Sequence, residues 1–245
     1  MFEAITLWYE ALPSTSFFNF KFLPKYTFYF IQGVEYTLLL SVVSVLLAII
    51  PALLLALMRL SKNRVVKSVS GAYIAVFRST PLLVQLSIIF FGLFNVIRVP
   101  SIKVFGFVDL SFFIPGVVAL ALNSSAYVAE IFRAGILAVD GGQMEAARSL
   151  GLSQWQGMKL VVLPQAIKNI LPALANELVT MIKESSICMA LGMQELMWSA
   201  KTVAATSFIS LGPYILAAMI YFCINFPASK AIEAIERRMR RGDQR

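Results

Sequence analysis

The chain has 245 residues, 59% of them hydrophobic and only 14% charged, with a formal net charge of +8. An average soluble domain is about 25% charged, and this much Leu, Ile, Val and Phe cannot be kept from water without large exposed patches. The composition therefore excludes an ordinary soluble domain and makes the bilayer the expected solvent. The basic excess sits at the ends of apolar runs and is not interleaved with aromatics on one soluble face, which argues against a nucleic-acid partner.

Residues 1–30 read as an external, interfacial segment. They carry Trp8, Tyr9, Phe17, Phe18 and Phe20, aromatics suited to the membrane–water boundary, and lack the basic leader, short apolar core and cleavage site of a signal peptide. Beyond them, residues 36–58, 79–97, 110–129 and 202–229 are free of charge. Each run meets the roughly 20 residues a helix needs to cross a hydrocarbon core about 30 Å thick. A fifth apolar stretch is interrupted by Glu177, Lys183 and Glu184. The reading is an all-α membrane domain over residues 31–235 with about five spans, near 32–58, 79–97, 112–139, 164–191 and 213–235, followed by a basic tail at 236–245.

Local chemistry adds detail. Pro51 predicts a kink in the first span. Lys62 to Phe77 is amphipathic and lies at the membrane edge, and Pro81 disfavours helical geometry at Thr80, so the chain bends there. Val99 to Ser111 reads as a short loop. At the end of the third span Glu130 and Arg133 are three apart and can meet on one helix face, and Asp140-Gly141-Gly142 breaks the helix. Residues 143–150 are helix formers, Gly151 ends that pattern in left-handed geometry, Ser153 caps a second short helix over 154–163, and Pro164 starts the fourth span. Gly192 to Ser210 reads as an outer connection, polar enough at Gln194, Glu195 and Lys201 to stay wet, with a helix as an open alternative.

Basic residues set the orientation. The connection after the first span holds Arg59, Lys62, Arg64 and Lys67; the region of residues 133–168 holds Arg133, Arg148, Lys159 and Lys168; the tail holds Lys230, Arg237, Arg238, Arg240, Arg241 and Arg245. The opposite side holds Lys21, Lys25, Arg98, Lys103 and Lys201. Five spans put all the large clusters together, so the N-terminus faces outside and the C-terminus the cytoplasm.

The polar stretch 140–164 thus falls on the cytoplasmic side, as a helix, a bend and a second helix. Ala146 and Ala147 are small enough for another surface to approach, and Glu145 offers a carboxylate to a cation or a helix N-terminus. Glu145-Ala146-Ala147, then Gly151, Val161 and Leu163-Pro164 resemble the EAA loop of permease subunits in bacterial ATP-binding cassette importers. Arg78-Ser79-Thr80-Pro81-Leu82, Ala126 to Arg133 and Pro164-Gln165-Ala166 look like the polar amino acid branch of that family, and the resemblance extends over most of residues 33–230. One departure is Lys183-Glu184-Ser185-Ser186, where the family usually has Lys-Asp-Thr-Ser.

The resemblance implies the transmembrane domain of a type I importer in the bacterial inner membrane. It implies a homo- or heterodimer of permease subunits, two separate ATPase subunits, and an extracellular binding protein. Glu145, Ala146, Ala147, Leu150 and Gly151 become the expected ATPase-coupling residues. The sequence has no Gly-x-x-x-x-Gly-Lys-Ser/Thr loop to cradle a nucleotide, so ATP and magnesium are expected on the partner and no cofactor on this chain. There is no histidine, no metal-ligand spacing, and Cys188 and Cys223 sit in apolar runs as packing residues.

Charges at membrane depth cost several kcal/mol unless paired or wetted, and so mark pathways. Asn123, Tyr127 and Glu130 lie at i, i+4 and i+7 on one face of the third span; Glu177, Thr180 and Glu184, at i, i+3 and i+7, likewise share one face of the fourth, with Lys183 beside them. Two readings stand: these stripes face a shared substrate path, or Glu130–Arg133 and Lys183–Glu184 neutralise charge near the surface. The rival functions are a stand-alone transporter or channel, which calls for inverted repeats not visible here, and a scaffold recruiting a cytoplasmic enzyme, which calls for a soluble domain.

Overall fold

The computed structural model describes residues 10–13, 16 and 19–241. Trp8, Tyr9, Phe17 and Phe18 of the interfacial segment, and Arg245 of the tail, lie outside the described residues. Among the described residues four helices are long and apolar enough to cross a membrane, and a pair of helices bent against each other by 106° has the length and composition for a fifth, broken span.

Helix α1 (Leu23–Leu60) is 38 residues long. At 1.5 Å per residue it spans about 57 Å, far more than the hydrocarbon core. It takes in residues expected to lie along the surface, because Phe22 and Phe30 are buried against the last two helices of the chain. Pro51 is accommodated inside it. One face exposes Leu46, Ile50, Leu53, Leu54 and Leu57, a surface suited to lipid, while Ser44, Ala48, Ala52 and Ala56 repeat every fourth residue on the buried face. Small residues at that spacing let helices approach closely in a bilayer, where packing takes over from the hydrophobic effect.

Asn63 caps α2 (Arg64–Ser79) by accepting from Val65 N and Val66 N. The amphipathic α2 turns Ser70 and Ile74 inward, and Ser70 Oγ donates to Leu55 O of α1 at 2.8 Å. The bend follows at Thr80 and Pro81, both extended. The second span therefore starts at Leu82, not Ser79, and α3 (Leu82–Val96) contains a π-helical turn at Ile88–Leu93. The expected loop after it holds a two-stranded antiparallel hairpin, β1 (Lys103–Val104) with β2 (Val108–Asp109). Phe105 and Gly106 turn it with positive φ.

Asp109 caps α4 (Leu110–Leu137). Asp140 then caps α5 (Gly141–Ser149) by accepting from Gly142 N at 2.6 Å, so Gly141 and Gly142 begin this helix and the break lies just before them. The next helical run is a further correction. A separate helix ending at Pro164 is not formed; α6 runs from Gln154 to Leu191 without a break. Pro164 has no N–H for the Leu160 carbonyl and its ring crowds that oxygen. A π-helical turn at Met158–Val162 widens the backbone ahead of it and keeps the axis continuous.

The segment after Gly192 takes the helical alternative, and it is packed where it was expected to be wet. It carries α7 (Leu196–Ser207), whose Leu196, Ala200 and Val203 are fully buried. A Cβ at Gly33 of α1 would stand 2.9 Å from Leu196 Cα and 2.6 Å from Ser199 Oγ, so the glycine is what lets the two helices touch. Helix α8 (Gly212–Arg241) closes the fold and carries the basic stretch as a continuation of the fifth span.

Candidate functional site

On the basic side of the molecule, α5 and the start of α6 form the bent loop that the resemblance singles out. Gly151 ends α5 at φ +85°, with its own N–H on Arg148 O and the Leu152 N–H on Ala147 O. That pair of bonds satisfies carbonyls which a helix end otherwise leaves open. Ser153 and Gln156 exchange side-chain bonds with each other's backbone N–H, at 3.3 and 2.9 Å, and start α6. Gln165 Nε2 donates to Gln143 Oε1 at 3.3 Å and holds α6 beside α5.

The loop has an inner and an outer face. Ala147 is buried, and Gly157 packs beneath it against Met144. Glu145, Ala146, Leu150 and Gly151 are exposed, Leu150 to 84%, and Trp155 beside them to 72%. A leucine and a tryptophan held in the open on a polar, capped turn make a surface fit for a protein partner.

Behind this loop a cavity of 680 Å³ opens between α4, α6 and the end of α8. Tyr127, Glu130 and Glu177 line it, as do Arg78, Lys168 and Glu236, which sequence reasoning did not place there. Glu130 accepts from Arg133 Nε and Nη2 at 3.0 and 2.7 Å and lies 3.8 Å from Arg59 Nε. Glu177 accepts from Ser124 Oγ at 2.8 Å, and the Arg78 guanidinium stands 5.4 Å from the Tyr127 ring. The site thus offers carboxylates, cations, an aromatic face and the amides of Asn169 and Asn176. Those are complements for a small molecule carrying both charges.

The remaining residues of the two stripes lie elsewhere. Asn123 is buried and donates to Gln85 Oε1 at 2.8 Å. Thr180, Lys183 and Glu184 do not line the cavity. Of α6, the cavity takes in Glu177 and residues before it, Lys168 to Asn176, and not the turns that follow. Among the described residues no group of His, Cys, Asp and Glu is arranged to hold a metal ion.

With this geometry, residues 44–241 match the family described as the binding-protein-dependent transport system inner membrane component, and the chain belongs to that family. It is a multi-pass permease subunit of a bacterial importer, and ATP hydrolysis belongs to separate ATPase subunits. It is 41% identical to a putative glutamine transport system permease protein of Rickettsia conorii, over 89% of this chain and 96% of that one. It is 40% identical to an arginine transport system permease protein of Bacillus subtilis, over 88% and 94%. Among solved structures, an amino acid ATP-binding cassette transporter with histidines superposes with a TM-score of 0.80 at 45% identity, covering 89% of this chain and 98% of that one. The inward-facing methionine transporter MetNI shares the fold, with a TM-score of 0.67 at 21% identity over 85% and 96%.

Proposed function

We propose that this permease carries a polar amino acid through the cavity between α4 and α6. The ATPase partner docks on the outer face of the α5 loop. Glu145, Ala146, Leu150 and Gly151 meet that partner, while Ala147 supports them from within through its contact with Gly157. Nucleotide and magnesium belong to the partner. A second permease subunit and an extracellular binding protein complete the complex.

The observation that carries this reading is the continuity of α6. Its first turns form the exposed loop with Leu150 and Trp155 beside them, and the same unbroken helix brings Lys168, Asn176 and Glu177 to the cavity. A push on the loop is transmitted along one continuous element to the groups that face the solute. The names of the relatives support an amino acid substrate, and the mixed charges of the cavity fit the ammonium and carboxylate of one.

The test is ATPase activity of the reconstituted complex, with its binding protein, across a panel including glutamine, arginine and histidine. Stimulation by one or a few polar amino acids is expected; stimulation by none refutes the substrate class. Glu177→Gln should leave basal ATPase activity intact and lower uptake about tenfold, the effect of losing one charge-assisted contact. Unchanged uptake would remove Glu177 from the path.

A further inference from the structure

The break between α2 and α3 is closed by one side chain. Pro81 has no N–H, so the Phe77 carbonyl four residues earlier loses its helix bond. Gln85, one turn into α3, reaches back: its Nε2 donates to Phe77 O at 2.8 Å and is 3.0 and 2.7 Å from Thr80 O and Thr80 Oγ1. Thr80 Oγ1 in turn donates to Val76 O at 2.8 Å. The other end of the same amide, Oε1, accepts from Asn123 Nδ2 of α4 at 2.8 Å. Gln85 and Asn123 are buried, 7% and 3% exposed, so neither amide has water as an alternative partner and breaking the pair leaves polar groups stranded.

A second bond ties the other side of the bend to the same turn: Tyr73 Oη of α2 donates to Leu122 O at 2.9 Å. Both arms of the bent span are thus fastened to Leu122–Asn123. From there α4 runs on without a proline to Leu137, three residues short of the Asp140 cap of the coupling loop. That lever is about 21 Å long at the helical rise.

We infer that the Gln85–Asn123 pair is a positioning joint of the transport cycle, making the bent second span follow the third span as the coupling loop moves it. The joint rests on the proposed coupling role of that loop. Neither residue reaches the cavity; both act through the helices they fasten.

The experiment uses the full complex in proteoliposomes, with spin labels on Val96→Cys and Leu137→Cys in a Cys223→Ser background, both label sites being exposed. With the joint intact, the distance between the ends of α3 and α4 stays the same with and without trapped nucleotide. In Gln85→Leu it shifts or broadens on trapping, and glutamine or arginine imported per ATP hydrolysed falls about threefold to tenfold, the range by which such contacts modulate coupling. The exchange Gln85→Asn with Asn123→Gln, which keeps both amides, recovers part of both. A Gln85→Leu complex with wild-type distances overturns the joint, as does one that loses thermal stability while its import per ATP is unchanged. Where Gln85→Leu does not assemble, Asn123→Leu breaks the pair but leaves the bonds to Phe77 and Thr80, and is read the same way. A wild-type complex that imports no amino acid contradicts the proposed function, and the label distances still decide the joint.

Discussion

Glu195 is fully buried and yet surrounded by donors. Its carboxylate accepts from Met197 N at 2.8 Å, Trp198 N at 2.6 Å and Tyr221 Oη at 3.0 Å, capping α7 and binding it to α8. Burial outweighs these donors and pushes its pKa up to about 7. An unfolded glutamate titrates near 4.3. The folded state therefore holds the proton more tightly, and the stability this contributes is present below the unfolded pKa and lost as pH rises through 7. Purified protein should melt at progressively lower temperature from about pH 5 to pH 8, and Glu195→Gln should flatten that slope; an unchanged slope would clear Glu195. The residue was expected to stay wet because Gln194, Glu195 and Lys201 are polar. Its burial depends on Tyr221, 26 positions away, which local composition does not report. Gly33 is a similar case: its role is set by α7 crossing it. Gly33→Ala should cost about 1–3 kcal/mol, since the obstructing Leu196 Cα is backbone and cannot swing aside; a melting curve that matches the wild type would show that the helices can part freely.

Among the elements, those specified by neighbouring residues were legible and those specified by distant ones were not. Uncharged runs overlap three of the four long apolar helices among the described residues, α6 being interrupted by charge, and Gly151, Ser153 and Pro81 marked a helix end, a helix start and a bend through their own backbone chemistry. The continuity of α6 was hidden because Pro164 signals a start, and only the π-helical turn before it reveals how the axis passes through. The extension of α1 to Leu23 was likewise hidden, because aromatic residues suit both an interface and a packed helix. Of the candidate site, the loop was readable from spacing, whereas the cavity was half readable: Tyr127, Glu130 and Glu177 meet there, but Arg78, Lys168 and Glu236 come from separate elements. The capping box gives a test at this scale. Ser153→Ala should destabilise the first turn of α6 by about 1 kcal/mol, seen as faster amide exchange over residues 154–157; exchange equal to wild type would mean that packing alone holds the turn.

For the molecule as a whole, two faces of different character are joined by long helices. The basic side presents a polar, capped turn with an exposed leucine and tryptophan, and the opposite side is closed by α7 and the hairpin. The cavity lies behind the turn, flanked by α4 and α6, the two helices that enter and leave the loop. That arrangement suits a subunit that takes mechanical input from elsewhere and passes it to a solute. The most direct measurement is co-purification of the ATPase subunit with this chain, read together with ATP-driven uptake in proteoliposomes. Glu145→Arg or Gly151→Pro should lose both the ATPase subunit and uptake, while Glu177→Gln keeps the ATPase subunit and lowers uptake about tenfold. A Glu145→Arg and a Gly151→Pro chain that both hold the ATPase subunit and transport at the wild-type rate would contradict the account.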